Sequence, residues 1–228
     1  MKQRDYKTTQ PIRSRQDLNA MSSYLYKHNI RDWALFTFGI YTGRRISDIV
    51  NLKVKDVAFI DRRGRLRIKD CLQIQERKTG KFILFAINET ARYSLQVYLK
   101  SRIRETESLG ALLNEPLFKS RQQHCNGLYH LSESQCWRIL NRAARALELP
   151  YKVASHSMRK TFGYMLYKYY DISVAVIQKL LNHASPETTL DYIGIGQDDM
   201  NDAVLSMRPL RQIAEIRKYK KWQDSEWL

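Results

Sequence analysis

The patterning of the chain changes from helical to strand-like between residues 57 and 87. Four short segments there are rich in β-forming residues: VAFID, RLRIK, CLQIQ and KFILFAI. Turn signals separate them at Arg63-Gly64 and in the run 78–81, KTGK. We predict a small antiparallel sheet of three strands. With helical patterns elsewhere, the predicted class is α+β, mainly helical with this small sheet.

Two helical segments precede the predicted sheet. Ser14 suits the N-cap of a helix over 15–28, whose apolar residues follow a helical stripe. The segment WALFTFGIY, 33–41, is too apolar for a surface helix and is predicted to be buried. Gly43 is expected to end it, and a short helix follows.

Capping signals mark helices after the sheet. Ser132 with Gln135 has the pattern of a capping box, and Ser185-Pro186 that of an N-cap followed by a first-turn proline. The segment 106–131 is rich in loop-forming residues and is predicted to be mostly loop. The predicted helices here are 89–105, 133–148, 156–169, 174–182, 187–194 and a tail near 208–220.

The charge balance indicates a polyanionic partner. Lys and Arg total 39 against 23 Asp and Glu, a net charge of +16, and hydrophobic residues make up 43% of the 228 residues. The chain therefore has the apolar content to fold, and duplex nucleic acid is the usual partner for such an excess. Charge alone does not separate nucleic acid from a membrane surface.

The sequence does not support a disulfide-rich, zinc-binding, membrane-spanning or secreted protein. Cys71, Cys125 and Cys136 are odd in number and widely spaced, so they indicate neither a disulfide framework nor a zinc site. No stretch is apolar enough to span a bilayer, and the basic amino terminus lacks the apolar core of a secretion signal. We expect a cytoplasmic protein with no membrane partner.

Two segments place cations where a phosphate could bind. His156 and Arg159 are three positions apart on a predicted helix and therefore share a face. Arg44 and Arg45 stand at the start of another helix, where backbone N–H groups attract anions. Taken singly, an ordinary helix surface and a solvated turn explain these residues equally well.

Two further segments carry a lysine, a histidine and a tyrosine. Lys78 lies at the tip of a predicted hairpin, where it could reach a bound phosphate or simply be a soluble turn residue. His183 ends one helix, and Tyr192 follows nine positions later within the next. A tyrosine hydroxyl, with a pKa near 10, needs neighbouring cations or a base to become a nucleophile.

Together these segments resemble the tyrosine recombinase, or phage integrase, family. TGRRISDI resembles its first arginine box, KTGK its hairpin lysine, HSMRKTFG its His-x-x-Arg box and LLNHASPETTLDYI its second histidine and tyrosine box. LFKS, 117–120, resembles its Leu-Phe segment. The resemblance covers roughly residues 14–205 and is specific because the boxes occur in the family's order and spacing.

The resemblance implies how the cations act. Arg45 and Arg159 would clamp the scissile phosphate; Arg44 instead fills the family's apolar slot before the arginine. His156 would hydrogen-bond the phosphate or accept the tyrosine proton. His183 would donate a further hydrogen bond to the phosphate.

The resemblance also implies the nucleophile and the acid. Tyr192 would attack the phosphorus and form a 3′-phosphotyrosine, and Lys78 would protonate the leaving 5′ oxygen. The covalent bond conserves the phosphodiester energy, so neither ATP nor another cofactor is expected. Because guanidinium groups would stabilise the charge, no metal is expected either.

Three positions depart from the family pattern. Arg44 replaces an apolar residue, Asp48 stands where Glu is usual, and Asn182 replaces a glycine before the second histidine. Asn tolerates left-handed backbone angles, so we expect that turn to survive. None of the three changes removes a group that the chemistry needs.

The predicted organisation is a flexible basic lead-in at 1–13, a catalytic domain at 14–205 and a tail at 206–228. The tail would dock either on a neighbouring protomer or on its own domain. Family members usually carry a preceding core-binding domain of about one hundred residues, a normal size for a module. The chain would be either a shortened protein or a small stand-alone recombinase resembling the fimbrial switch invertases, and Met1 favours the second.

The expected partner is double-stranded DNA, bound by a homotetramer in the synaptic complex and by a monomer or weak oligomer otherwise, with accessory DNA-bending proteins possible. A site-specific integrase or invertase is the first hypothesis. A type IB topoisomerase and a non-catalytic DNA-binding regulator with a recombinase fold are the alternatives.

Overall fold

The computed structural model describes residues 9–75, 80, 82–104, 106, 108–121 and 129–207. The chain divides into two compact units, one ending at Gly194 and the other beginning at Ile195. The described helices of the first unit are α1 Arg15–His28, α2 Ile30–Thr42, α3 Ile46–Val50, α4 Val54–Val57, α5 Glu89–Ile103, α6 Leu109–Asn114, α7 Glu133–Ala146, α8 Ser155–Tyr169, α9 Val174–Leu181 and α10 Pro186–Ile193. The second unit contains α11, Gln197–Leu205.

The strands form two antiparallel pairs. They are β1 Ala58–Ile60 with β2 Leu66–Ile68, and β3 Cys71–Gln75 with β4 Phe82–Ala86. The predicted α+β class is confirmed, but the single three-stranded sheet is wrong. Lys69 extends the first pair by donating to the Val57 carbonyl, and Asp70 extends the second by accepting from Ile87, both at 2.8 Å. The chain thus passes from one ladder to the other without β2 pairing with β3.

Helix α2 lies at the centre of the first unit and packs against α1, α5 and α8. Most of its residues are buried, as the apolar run at 33–41 predicts. Ser14 caps α1 by accepting from the backbone N–H groups of Gln16 and Asp17, which confirms the predicted start of that helix. A core helix covered on several sides provides a rigid base for the segments that follow it.

Glycines set the spacing of the helices on both sides of α8. A Cβ at Gly39 would lie 2.6 Å from Sδ of Met158, and one at Gly163 would lie 2.5 Å from Cγ2 of Ile193. No real Cβ contact is that short, so glycine lets α2 and α10 approach α8 this closely. The sequence boxes on α8 and α10 are thereby held together.

The predicted capping box at Ser132 and Gln135 and the Ser185-Pro186 start of α10 are both confirmed. Helix α6 lies in the segment predicted to be mostly loop; six residues capped by Ser108 are too short for a periodic signal. The predicted tail helix near 208–220 lies outside the described residues. None of the described helices has the length and apolar character of a membrane span.

Candidate active site

The first arginine box lies at a sharp turn between α2 and α3. Gly43 ends α2 in the left-handed region, with φ of 61°, and Arg45 is the N-cap residue of α3. A side chain at Gly43 would also collide with the ring of Phe162 on α8. Glycine is therefore required there by backbone angle and by space.

Arg44 is buried, with 2% of its surface exposed. Its Nε donates to the Thr42 carbonyl at 3.1 Å, and its Nη2 donates to the carbonyl of Leu180 on α9. Its guanidinium lies 4.9 Å from the ring centre of Phe85. Arg44 therefore occupies the family's apolar slot by stacking on an aromatic ring and donating to backbone oxygens.

Arg159 on α8 links two of the boxes. It is 3% exposed, and its Nη1 donates to the Gly43 carbonyl at 2.7 Å while its Nη2 donates to the Leu181 carbonyl. A guanidinium held by two fixed carbonyls loses little further freedom when it binds an anion. The end of α2, the end of α9 and the middle of α8 therefore meet at this side chain.

His156 lies on the same face of α8 as Arg159. Desolvation is the main cause that lowers the pKa of His156, followed by the positive charges of Lys160 and Arg159. The negative charge of Glu133 raises this pKa. Arg45 lowers it as well. The neutral imidazole is therefore the favoured form at neutral pH, able both to donate and to accept a hydrogen bond.

His183 follows a left-handed turn at Asn182, which has φ of 47° and ψ of 50°. The predicted tolerance of asparagine for this turn is confirmed. Nδ1 of His183 lies 3.2 Å from Oγ1 of Thr189. Burial, Arg159 and Arg45 together lower the pKa of His183 to about 4.

Tyr192 on α10 lies against the other site residues. Its ring centre is 4.9 Å from that of His183, nearly edge-on at 74°, and 5.3 Å from Nζ of Lys160. Burial raises the pKa of Tyr192, whereas Arg159 and Arg45 lower it, Arg159 also through a hydrogen bond. Burial therefore favours the protonated phenol, whereas the charges of Arg159 and Arg45 would stabilise its anion.

The structure thus brings together Arg45, His156, Arg159, His183 and Tyr192. Lys78 lies outside the described residues, in the segment between β3 and β4. Lys160, for which no role was predicted, has a pKa lowered by burial, and its ammonium lies over the Tyr192 ring. Its spacing of four from His156 was the available signal, since such residues share a helix face.

The arrangement is suited to binding an anion beside a phenol. Two arginines and two imidazoles can donate to phosphate oxygens, and the burial of Arg159 strengthens its electrostatic effect. Within the described ranges no three His, Cys, Asp or Glu side chains form a group that could hold a metal ion. Of the cysteines described, Cys71 is exposed and Cys136 is buried, and both are free thiols.

A family model described as the phage integrase family matches residues 13–197. The chain belongs to this family. A probable integrase/recombinase of Bacillus subtilis strain 168, YoeC, is 39% identical over 189 residues, which are 83% of this chain and 91% of that relative. The resemblance found in the sequence is confirmed, and with it the assignment to the tyrosine recombinases.

Solved integrase-family structures share the fold. The crystal structure of XerA recombinase superposes with a TM-score of 0.66 at 20% identity, covering 90% of this chain and 66% of that one. XerH site-specific recombinase, in a post-cleavage complex with its palindromic difH substrate, gives 0.61 at 18% identity, covering 84% and 51%. The chain therefore spans one half to two thirds of these larger recombinases.

Proposed function

We propose that the chain is a site-specific DNA recombinase in which Tyr192 cuts and rejoins DNA through a 3′-phosphotyrosine. The main support is the cluster around Tyr192: Arg45, Arg159 and His183 come from separate segments, and the two arginine charges act on its hydroxyl. A phenol beside fixed cations is what attack on a phosphodiester requires.

In the proposed cleavage step the Tyr192 oxygen gives its proton to His156, whose neutral form is favoured, and bonds to phosphorus. The bond from phosphorus to the 5′ oxygen breaks, and Lys78 supplies the proton that this oxygen takes up. Arg45 and Arg159 bind the non-bridging oxygens, which gain negative charge. Losing one such donor typically costs about 3 kcal/mol of barrier. Rejoining runs the same step in reverse with a different 5′ hydroxyl.

Double-stranded DNA is the proposed partner. The chain carries a net charge of +16, and its relative in fold, XerH, is described in complex with its DNA substrate. Exchange between two duplexes cuts four strands, and each cut uses one tyrosine, so a homotetramer follows from the chemistry. The proposal also includes accessory DNA-bending proteins as partners. It includes docking of the tail at 206–228, either on a neighbouring protomer or on its own domain.

The test is covalent capture of DNA. The chain is incubated with a pool of nicked duplexes, randomised around the nick, from which the 5′-hydroxyl fragment is lost on cleavage. Wild type should retain DNA after denaturation, and sequencing that DNA identifies the site. Tyr192→Phe should retain none, whereas Tyr170→Phe, a change at an exposed tyrosine, should react like wild type.

Two outcomes contradict the proposal. A folded wild type that binds duplex DNA and captures none supports a non-catalytic regulator. Capture together with plasmid relaxation by dilute monomer, and no exchange between captured sites, supports a type IB topoisomerase.

A further inference from the structure

Residues 11–13 form an amino-terminal strap that lies against α8. Ile12 is 0% exposed, and its backbone N–H donates to Oγ1 of Thr161 on α8 at 2.8 Å. Thr161 is also fully buried, and its hydroxyl donates to the Ser157 carbonyl one turn earlier at 2.7 Å. A buried side chain and a buried hydrogen bond therefore fix the strap to α8, although 149 positions separate Ile12 from Thr161.

Arg13, the last residue of the strap, contacts both α8 and α10. Its carbonyl oxygen accepts from the Tyr169 hydroxyl, and its guanidinium lies 5.5 Å from the ring centre of Tyr164. Both tyrosines belong to α8. Nη2 of Arg13 donates to the carbonyl of Gly194, the C-cap residue of α10, at 2.5 Å. Arg13 therefore bridges α8 and the end of α10.

The carboxyl end of α10 is a place where a cation is favourable. The carbonyl groups there give the end of a helix a partial negative charge. The last turn of α10 includes no basic residue, so Arg13 supplies a positive charge from outside the helix. A Cβ at Gly194 would lie 2.9 Å from Nη2 of Arg13, which shows how closely the guanidinium approaches this end.

Helix α10 depends on such contacts for its position. It has eight residues, and a helix of about two turns is not stable by itself, so its neighbours determine where it lies. Ile193 is 0% exposed and lies against Gly163 of α8, and Gly194 is the next residue. Tyr192 immediately precedes these two residues, so the contacts that hold them also set the position of its phenol.

We infer that Arg13 is a positioning residue that ties the end of α10 to α8 and so holds Tyr192 beside Arg159. It acts through Gly194 and the helix. Its effect on the reaction rests on the proposed recombinase function, whereas its effect on α10 does not. Because Arg13 is exposed, losing its side chain should loosen α10 locally and leave the rest of the fold intact.

The test compares three variants of the full chain. Arg13→Met removes the guanidinium, and Arg13→Lys keeps a charged donor. Arg15→Met is the matched control, because it removes the same charge two positions later, from a side chain whose guanidinium lies over the Tyr169 ring. Circular dichroism and thermal unfolding establish that all three variants are folded.

Two measurements separate positioning from charge. Hydrogen–deuterium exchange, read by mass spectrometry without DNA, compares peptides that cover α10 with peptides that cover α9. The rate of covalent capture of a nicked duplex is then measured over a range of DNA concentrations. This series separates the maximal rate of capture from the DNA concentration at half-saturation.

Arg13→Met should exchange faster than wild type in α10 and at the wild-type rate in α9. Its maximal capture rate should fall about 3- to 10-fold, as expected for the loss of one hydrogen bond that holds the nucleophile in place. Its DNA concentration at half-saturation should match that of Arg15→Met, and Arg13→Lys should have an intermediate rate.

Unchanged exchange in α10 of Arg13→Met overturns the inference, and so do equal maximal rates for Arg13→Met and Arg15→Met. Faster exchange in α10 of Arg13→Met, together with a wild type that captures no DNA, has a different meaning. That result supports the tie between Arg13 and α10 and contradicts the recombinase function.

Discussion

Arg44 and Arg45 are neighbours in the chain with different surroundings. Arg44 is held in the fold by hydrogen bonds to two carbonyls and by the Phe85 ring. Arg45 is half-buried, and its charge acts on His156, His183 and Tyr192. Arg44 therefore stabilises the turn, and Arg45 is the arginine that takes part in the proposed chemistry.

Replacing each arginine by methionine should separate the two roles. Arg44→Met leaves buried carbonyls unsatisfied and should lower the free energy of unfolding by about 1–3 kcal/mol. Arg45→Met should change that free energy less and slow DNA capture by about 100-fold or more. Chemical denaturation and capture rates measure both effects. The reverse pattern would mean that Arg44 is the phosphate ligand.

Lys160 should assist the reaction by holding Tyr192. A cation over an aromatic ring contributes about 1 kcal/mol, so Lys160→Met should slow DNA capture about fivefold with little change in folding. Lys168→Met removes the same charge from an exposed position two turns along α8 and is the matched control. Equal rates for the two variants would contradict a specific role for Lys160.

How far the site could be predicted differs from residue to residue. Arg45, His156, Arg159, His183 and Tyr192 could be found because each stands in a recognisable box, and the structure gathers all five. Their roles, and that of Lys78, remain predictions. Lys160 was assigned no role although its spacing from His156 is a local signal, because its position over the Tyr192 ring arises only when α10 packs on α8.

At the scale of elements, the site depends on the close approach of α8 and α10. Gly163 is the residue that permits it, since a Cβ there would lie 2.5 Å from Ile193 and 3.2 Å from Leu181. Ile193 is adjacent to Tyr192, so any displacement at this contact also moves the proposed nucleophile.

Gly163→Ala should therefore affect stability and reaction together. Overpacking of this kind costs about 1–3 kcal/mol, and we expect a loss of DNA capture even under conditions where the variant is fully folded. The control is Gly110→Ala in α6, where the nearest atom to an added Cβ is Ser108 Oγ at 3.9 Å. That change should be neutral or mildly stabilising. A Gly163→Ala variant with wild-type capture rate would show that the spacing of α8 and α10 is not critical.

Element starts were easier to predict than strand pairing. Ser14, Ser132 and Ser185 cap their helices as expected because capping is decided within four residues. The division into two strand pairs was missed because it depends on Lys69 and Asp70 continuing different ladders. Pairing between strands is a non-local choice, and strand composition does not encode it.

For the molecule as a whole, the sequence boxes predicted the family, and the match over residues 13–197 confirms it. The excess of basic residues predicted a polyanionic partner but not its sequence. Base recognition depends on groove contacts and on DNA shape, which charge and motifs do not specify. Binding is therefore expected to have a large sequence-independent component.

That component should appear as a steep dependence on salt. A protein that neutralises several phosphates releases as many counterions, so its affinity for a random-sequence duplex should fall at least about 100-fold between roughly 50 and 200 mM salt. Fluorescence anisotropy with a labelled duplex gives the slope of log affinity against log salt. Arg45→Met should reduce that slope by about one if Arg45 binds a phosphate. Affinity that does not change with salt would contradict a nucleic-acid partner. The basic residues behind the net charge of +16 would then not be neutralising phosphates.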